Sequence, residues 1–475
     1  MYPYGAILGP VLGYTGVETP AQVKQLGLLP SGATLGQAGL ELEYDPTLRG
    51  GYGSQAVLVT PQGAPVALGP TVPPENGGAL VTSLDLSLQE YVTQQLQQAV
   101  SGAFAGSQTG DEGAAVVMDA QTGQVLALAS VPGYDDNIFG PPVDQAALAA
   151  AYAAPGNPML EHATQTAMPP GSTFKLVVAA ADSLYQAVPA NAVVPTGGSW
   201  TYDGVTFDSW ADLPPQDLPQ AIAWSNDVYF YKLAVALGPQ AILAGARDLG
   251  VGQATGIDLP DEYPGYLGSP GTVGRLGQSW EPGDTAILGI GQGFITATPL
   301  QDARWTAAVG TGRLVTPRLG LLRAGPGSSD LEPITPPAPT PLPFAANLGP
   351  VQAGLQLAVT QGTADELAPL NIDAGGKTGT AQDAGAPNGG PDAWFTALAP
   401  MSDPQVVVTL VVRGGGEGFY SSQPAVRNIL QYFTAHQAQI LSSVPAGLTL
   451  PPRLLGSADP SGAVSRGIAL PEGRP

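Results

Sequence analysis

The rhythm of apolar and polar positions changes along the chain, and the changes mark its elements. Up to about residue 78, short apolar runs are cut by glycine and proline, with turn signals at Leu48-Arg49-Gly50-Gly51 and Pro61-Gln62-Gly63. This pattern predicts a small, irregular, mainly β region. Near Val81 the spacing turns helical: Leu88, Val92, Leu96 and Val100 recur every four residues behind Asp85, a suitable N-cap. Two β-prone runs, Ala114 to Ala120 and Gln124 to Ser130, flank Gln121-Thr122-Gly123 and predict a hairpin. Helical patterns follow at about 144–154, 173–187, 227–237 and 239–248, then near Pro299 to Val309 and at 351–360. Between them lie a turn-rich region around Trp280 to Thr285 and a proline-rich surface excursion from Gly325 to Pro350. Three β-like stretches come late, Ala374 to Gln382, Ala393 to Ala399 and Val406 to Val412, before a closing amphipathic helix from Ala425 to Ile440. Strands at both ends with helices between them predict an α/β sheet assembled from distant parts of the sequence.

Composition narrows the classes. A length of 475 residues suits more than one domain, or one large domain with an appendage. The net charge of -22 excludes a nucleic-acid partner, which needs clustered lysine and arginine. Only 11% of residues are charged, so the acidity reflects missing bases. The absence of cysteine removes disulfides, thiol catalysis and cysteine-ligated metal. No 18-residue apolar span is expected in the chain, and the N-terminus has no basic region followed by a hydrophobic core, so the chain as written reads as soluble without an export signal.

The stretch Pro169-Pro170-Gly171-Ser172-Thr173-Phe174-Lys175 changes the picture most. Two prolines and a glycine forbid helix before Ser172 and the apolar run Leu176 to Ala181 favours it afterwards, so a helix begins at or next to this serine. Ser172 and Lys175 then share a face at a positive helix end, an arrangement that suits an oxygen nucleophile and a basic amine. Serine needs a base, and the two histidines, His162 and His436, lie in no recognisable triad motif. A lysine serves if its pKa is lowered. The tetrapeptide alone also fits an N-capping serine and a solvated lysine. The chain, however, has four lysines in all (Lys24, Lys175, Lys232 and Lys377), which makes chance placement here less common.

Two further motifs join it. Gly376-Lys377-Thr378-Gly379-Thr380 falls on a predicted strand beside a second one containing Trp394-Phe395, with glycines that leave room for close backbone approach. Trp224-Ser225-Asn226-Asp227 opens another helix with a hydroxyl at its start. With these three motifs in order, the sequence resembles the class B high-molecular-weight penicillin-binding proteins, the peptidoglycan D,D-transpeptidases. The resemblance covers nearly the whole chain. Met1 to Gly5, Val11 to Tyr14 and Gly36 to Gly50 look like that family's N-terminal pedestal, and Asn157 to Ser172, Gly289 to Gly293 with Thr298 to Gln301, and Lys377 to Phe395 look like its transpeptidase domain.

The resemblance implies a penicillin-binding, serine β-lactamase-like domain with a central antiparallel sheet at 79–442, a pedestal at 1–78 and a Pro/Gly-rich tail at 443–475. It implies that Ser172 attacks the carbonyl between the last two D-alanines of a stem peptide and that Lys175 is the base. Ser225 would relay a proton to the departing D-alanine while Lys377 keeps its surroundings positive. Thr378, Gly379 and Thr380 would bind the substrate, the two threonines its terminal carboxylate, and the N–H groups of Ser172 and Thr380 would form the oxyanion hole. Trp394 is divided between packing the strand edge and touching ligand. Asp227 stands where many relatives have asparagine; it resembles elongation-type members and could pair with Lys175 or Lys377. No cofactor or metal is implied. Implied partners are stem peptides, β-lactams, and membrane proteins that polymerise glycan or govern shape or division. The family's N-terminal membrane helix is missing from the chain as written, yet the resemblance implies an anchor natively and work on the outer face of the cytoplasmic membrane.

Hydrolysis of the same acyl-enzyme, as a D,D-carboxypeptidase or β-lactamase, is the enzymatic alternative, and a non-catalytic sensor or scaffold the other. Structural readings hold for the remaining residues: His162 structural or at the surface, Trp224, Tyr229, Phe230 and Tyr231 packing, Lys232 solvated or paired with a carboxylate, Asp135 and Asp136 capping a loop.

Overall fold

The computed structural model describes residues 1–441 except Leu28, Leu29, Ser31 and Pro387, so the tail expected at 443–475 lies outside the described residues. Helix α1, Leu86–Val100, starts where Asp85 accepts a hydrogen bond from Leu88 N at 2.9 Å. It buries Leu88, Val92, Leu96 and Val100, the face read from their spacing. The hairpin follows as β1, Glu112–Asp119, and β2, Val125–Val131. Helices α2 (Lys175–Tyr185), α3 (Asp227–Asp248), α4 (Pro299–Thr311) and α5 (Gly349–Gln361) come next. Strands β3 (Gly375–Ala381), β4 (Asp392–Ala399) and β5 (Val406–Arg413) and helix α6 (Ser422–Ile440) complete the body.

The five strands form one antiparallel sheet in the order β3-β4-β5-β1-β2, with β5 joined to β1 by pairs such as Val408 with Val117. The late strands thus pair with the early hairpin across almost 300 residues of chain. Both faces are covered, which is why these strands read as continuous apolar runs. Ala114, Val116, Met118, Val407 and Val411 face a core layer shared with α2, α3, α4 and α5. Ala115, Val117, Phe395, Val408 and Leu410 face a second layer closed by α1 and α6, where Tyr91 stacks on Tyr432 at 4.4 Å. The last strand on one side, β3, is an edge strand.

The structure departs from expectation in three places. Most of the stretch expected as turns at Trp280 to Thr285 belongs to a helix, Pro282–Leu288, because Pro282 at its first position and the reciprocal Glu281–Asp284 cap outweigh the glycine. The region before residue 78 alternates its strands with short helices at Gly9–Leu12, Pro20–Leu26, Gly39–Glu43 and Asp45–Leu48. Three of these begin with proline at the first or second helical position, so the same residues that suggested turns open helices here. The proline-rich excursion is pinned by Leu342, Phe344 and Leu348, all buried in the main core. Helix α3 is the helix among the described residues long and apolar enough to cross a membrane by length and composition. It breaks at Gly238 (φ 76°), where two separate helices were expected, and its buried face packs on α2.

The interior holds carboxyls that burial pushes upward: Glu161 to about 7, Asp302 to about 7, and Asp136 and Asp392 likewise to about 7. In an unfolded chain these groups titrate near pH ~4. Between those values the folded state holds protons on these four carboxyls that the unfolded state has lost, so their contribution to stability falls as pH rises through this window and outweighs the opposite slope from His162, which burial keeps neutral. Calorimetry should therefore find a melting temperature several degrees higher at about pH 5.5 than at about pH 8. The opposite order would contradict these assignments.

Candidate active site

The nucleophile candidate sits on a turn held from three sides. Gly171–Phe174 form a single 3-10 turn that runs into α2 at Lys175, as the prolines before it demand. Gly171 has φ +54°, donates its N–H to Gly291 O at 3.0 Å, and lies so close to β3 that a Cβ there would come 2.7 Å from Thr380 O. Gly291 is equally confined, since a Cβ on it would lie 2.1 Å from Gly171 O. Phe174 anchors the turn below, fully buried with its ring edge-on to Trp305 at 6.2 Å. Ser172 itself is half-buried at the surface of this turn.

Around it the three motifs converge. Lys175 Nζ donates to Ser225 O at 2.7 Å, Ser225 Oγ at 3.2 Å and Asp227 Oδ1 at 2.6 Å. From the opposite side Lys377 Nζ donates to Ser225 Oγ at 2.7 Å and to Thr378 O at 2.8 Å. One hydroxyl therefore lies between two ammonium-bearing side chains, both wholly buried. Ser225 reaches this place with φ +52°, a left-handed conformation costing a non-glycine residue about 1 kcal/mol or more. Its neighbour Asn226 fixes the turn by capping α3 through Tyr229 N at 3.1 Å and donating to Gln216 Oε1 at 2.8 Å.

The electrostatics follow from burial. Desolvation lowers the pKa of Lys175, while Asp227 draws it back upward. Lys377 is held well below the usual lysine value by its burial and then by the charge of Lys175, with Asp227 and Asp302 opposing. Asp227 pairs with Lys175, and its other oxygen accepts from Trp210 N at 3.2 Å and Ser209 Oγ at 3.4 Å. The arrangement can take a proton from a nearby hydroxyl, move it across Ser225 and return it elsewhere.

The residues expected to bind substrate divide. Thr378 Oγ1 shares a 2.9 Å hydrogen bond with Thr363 Oγ1, and Thr380 Oγ1 donates to Glu417 Oε2 at 2.6 Å. Gly379 packs on Trp394, whose Cβ lies 2.8 Å from where a Gly379 Cβ would be. Trp394 is fully enclosed in the core, so its ring is a packing group and does not line the cleft, although alternation along β4 places it on the sheet face of Lys377 and Thr396. The tryptophans open to solvent near Asp227 are Trp210 and Trp224, joined by Trp210 Nε1 donating to Trp224 O at 3.2 Å.

His162 is structural, buried between Thr166 Oγ1 at 2.8 Å and Gly156 O at 3.0 Å. Tyr229, Phe230 and Tyr231 are buried packing groups. Lys232 corrects its expectation: instead of a carboxylate or solvent alone, it donates to Pro195 O at 2.6 Å beside the Trp200 ring. Asp135 caps its loop through Asn137 N at 2.9 Å, but Asp136 is buried and caps nothing. Sequence reasoning missed Thr363, Ser209, Trp210, Glu417 and Asp302, which reach the site across long separations and carry no local motif. Among the described residues no group of three histidine, cysteine or acidic side chains is placed to hold a metal.

Comparison with known proteins decides the family. The family model for the penicillin binding protein transpeptidase domain matches residues 113–431, and that for the penicillin-binding protein dimerisation domain matches 1–82. The chain belongs to the penicillin-binding protein transpeptidases. This penicillin-binding protein is 31% identical to the peptidoglycan D,D-transpeptidase MrdA of Haemophilus influenzae, over 91% of the chain and 69% of that relative. Its structure matches a Helicobacter pylori penicillin-binding protein, PBP2, solved in complex with MreC, with TM-score 0.80, 27% identity, and coverage of 93% of this chain and 79% of that one. It matches Pseudomonas aeruginosa PBP2 in complex with WCK 5153 with TM-score 0.74 and 29% identity over 91% of each chain.

For a penicillin-binding protein the close packing at Gly171 has a testable consequence. Gly171→Ala combines an unfavourable φ with a clash against Thr380 O and pushes the Ser172 turn off β3. Labelling by a fluorescent penicillin should slow about 10²-fold while the protein stays folded, as a small misplacement of reacting groups costs. Labelling at the parent rate would contradict this account of the turn.

Proposed function

We propose that the chain is a serine-type peptidoglycan D,D-transpeptidase that cross-links stem peptides through an acyl-enzyme on Ser172. The observation that carries this reading is Ser225 Oγ held between Lys377 Nζ at 2.7 Å and Lys175 Nζ at 3.2 Å, in a chain of this family. Ser172 Oγ attacks the carbonyl between the two terminal D-alanines and passes its proton to Lys175 in its neutral form. Asp227 then faces the ammonium that forms and stabilises it, as a triad carboxylate stabilises its imidazolium. The N–H groups of Ser172 and Thr380 receive the oxyanion, and Thr378 and Thr380 hold the substrate's terminal carboxylate. Ser225 delivers a proton to the departing D-alanine amine and is resupplied from the lysines on either side. An amine of a neighbouring strand then attacks the acyl-enzyme and frees Ser172.

Aminolysis is favoured over hydrolysis by the position of Asp227. Its two oxygens are committed to Lys175 and to the loop at Ser209 and Trp210, so it is poorly placed to activate water. We assign the chain to elongation of the wall, on the likeness to MrdA and PBP2 proteins. On the same basis we propose a pedestal at 1–78 and a transpeptidase domain from residue 79, acting on the outer face of the cytoplasmic membrane. A shape-determining partner of the MreC kind and a membrane glycan polymerase are its expected companions, and β-lactams its inhibitors.

Intact-protein mass spectrometry after incubation with a penicillin tests the reading. The parent should carry one persistent drug-mass adduct and Ser172→Ala none. Rapid drug hydrolysis without an adduct would favour a β-lactamase, and no reaction in a folded sample would remove the catalytic reading.

A further inference from the structure

Of the two hydroxyls assigned to the substrate's terminal carboxylate, one already holds an acid of the same chain. Thr378 Oγ1 shares its 2.9 Å hydrogen bond with the neutral hydroxyl of Thr363. Either oxygen can donate there, so Thr378 can accept from Thr363 and keep its own proton for a ligand. Thr380 differs. Its Oγ1 donates to Glu417 Oε2 at 2.6 Å, and a hydroxyl has a single proton to give. Glu417 thus presents to Thr380 the chemical group that the substrate would present.

The backbone that carries Glu417 is held firmly, while its side chain is not. Between β5 and α6 the chain runs Gly414-Gly415-Gly416-Glu417-Gly418. Gly414 N donates to Asp392 Oδ1 and Gly416 N to Pro391 O, both at 3.0 Å. Gly418 lies directly on the sheet, since a Cβ there would come 2.1 Å from Trp394 O and 2.4 Å from Gly379 O. Glu417 O accepts from Tyr420 N at 3.0 Å and from Ser421 N at 3.1 Å, and Ser422 Oγ donates to Ala393 O at 2.6 Å. The Glu417 residue itself is exposed, and among the described residues no lysine, arginine or histidine pairs with its carboxylate. A carboxylate bound by a hydroxyl and open to water can exchange that hydroxyl for solvent by turning its side chain alone. A second carboxylate arriving at Thr380 meets both an engaged proton and a like charge, so the two anions exclude one another.

We propose that Glu417 is a latch on the carboxylate subsite: it occupies Thr380 until the terminal carboxylate of a stem peptide, or that of a β-lactam, displaces it into solvent. The latch acts on specificity. A ligand whose carboxylate engages Thr378 as well as Thr380 has two hydroxyls to set against the one bond it breaks, whereas a carboxylate that reaches Thr380 alone gains nothing by the exchange. When D-alanine leaves, it takes its carboxylate with it, and Glu417 returns to Thr380 and closes the subsite.

This proposal rests on the acyl-transfer reading above and on Thr380 as a carboxylate ligand, and its test separates the two. Second-order acylation rate constants with a fluorescent penicillin, which carries a carboxylate, are measured for the parent, Glu417→Ala, Glu417→Gln and Glu417→Asp, with the labelled peptide located by mass spectrometry. Removing the competitor should make Glu417→Ala about fivefold to tenfold faster than the parent, the worth of one hydrogen bond to a charged group. Glu417→Gln, which keeps an acceptor and loses the charge, should fall between them. Glu417→Asp keeps the charge but is one methylene too short to reach Thr380 from the pinned backbone, and should also exceed the parent, by about threefold. A gain in rate is an effect that mere damage to the loop would not produce. Four equal rates, or a slower Glu417→Ala, would overturn the latch. Glu417→Asp at the parent rate beside faster Ala and Gln variants would overturn it too, since charge repulsion without the hydrogen bond would then account for the effect. A parent not labelled on Ser172 would instead overturn the acyl-transfer reading, and this proposal with it.

Discussion

Two lysine ammonium groups taken out of water around one serine hydroxyl are the constraint on which the rest of the site depends. A buried cation is costly unless paired, and a second one nearby makes each harder to charge. The chain meets that cost with Asp227 beside Lys175 and with carbonyl oxygens of Ser225 and Thr378 on the two Nζ atoms. What remains uncompensated lowers both pKa values, and a lysine that readily loses its proton is what a serine nucleophile requires. In the proposed reaction the same cluster that is a burden to folding is thus the source of the chemistry.

The fold is arranged to make this contact and hold it. Lys175 comes from a helix, Ser225 from a strained turn between two helices, and Lys377 from an edge strand, so no local motion of one element keeps the geometry. Gly171 and Gly291 let the backbones of the nucleophile turn, the Gly289–Gly293 loop and β3 approach closely enough for these three sources to meet. The sheet locks them by pairing strands from both ends of the domain. Because β3 is an edge strand, its free side is available to an extended peptide, the geometry in which a stem peptide could lie along it.

Much of this was legible in the amino-acid order, for reasons that can be named. Helix α1, the hairpin and the three late strands carry strong periodicity or unbroken apolar runs, and the three motifs are rigid short strings. The residues left unread act through tertiary contact. Asp302 looks like an ordinary acid in a first helical turn, and Glu417 and Thr363 show no relation to Thr380 and Thr378 until the chain is folded. Trp394 lies on the same sheet face as Lys377, and whether its ring lines the cleft or the core depends on what packs over it, which the strand pattern does not show. The short helices before residue 78 and the one at Pro282–Leu288 were hidden because proline and glycine signal turns and helix starts alike.

The most direct test of the central claim is the acylation rate of Ser225→Ala with a penicillin, both lysines and Ser172 being left in place. If the hydroxyl between the two lysines carries the proton, the rate should fall by about 10²–10⁴-fold with the fold intact and the adduct still on Ser172. A rate within a few-fold of the parent would show that the lysines work without it, and would contradict the account.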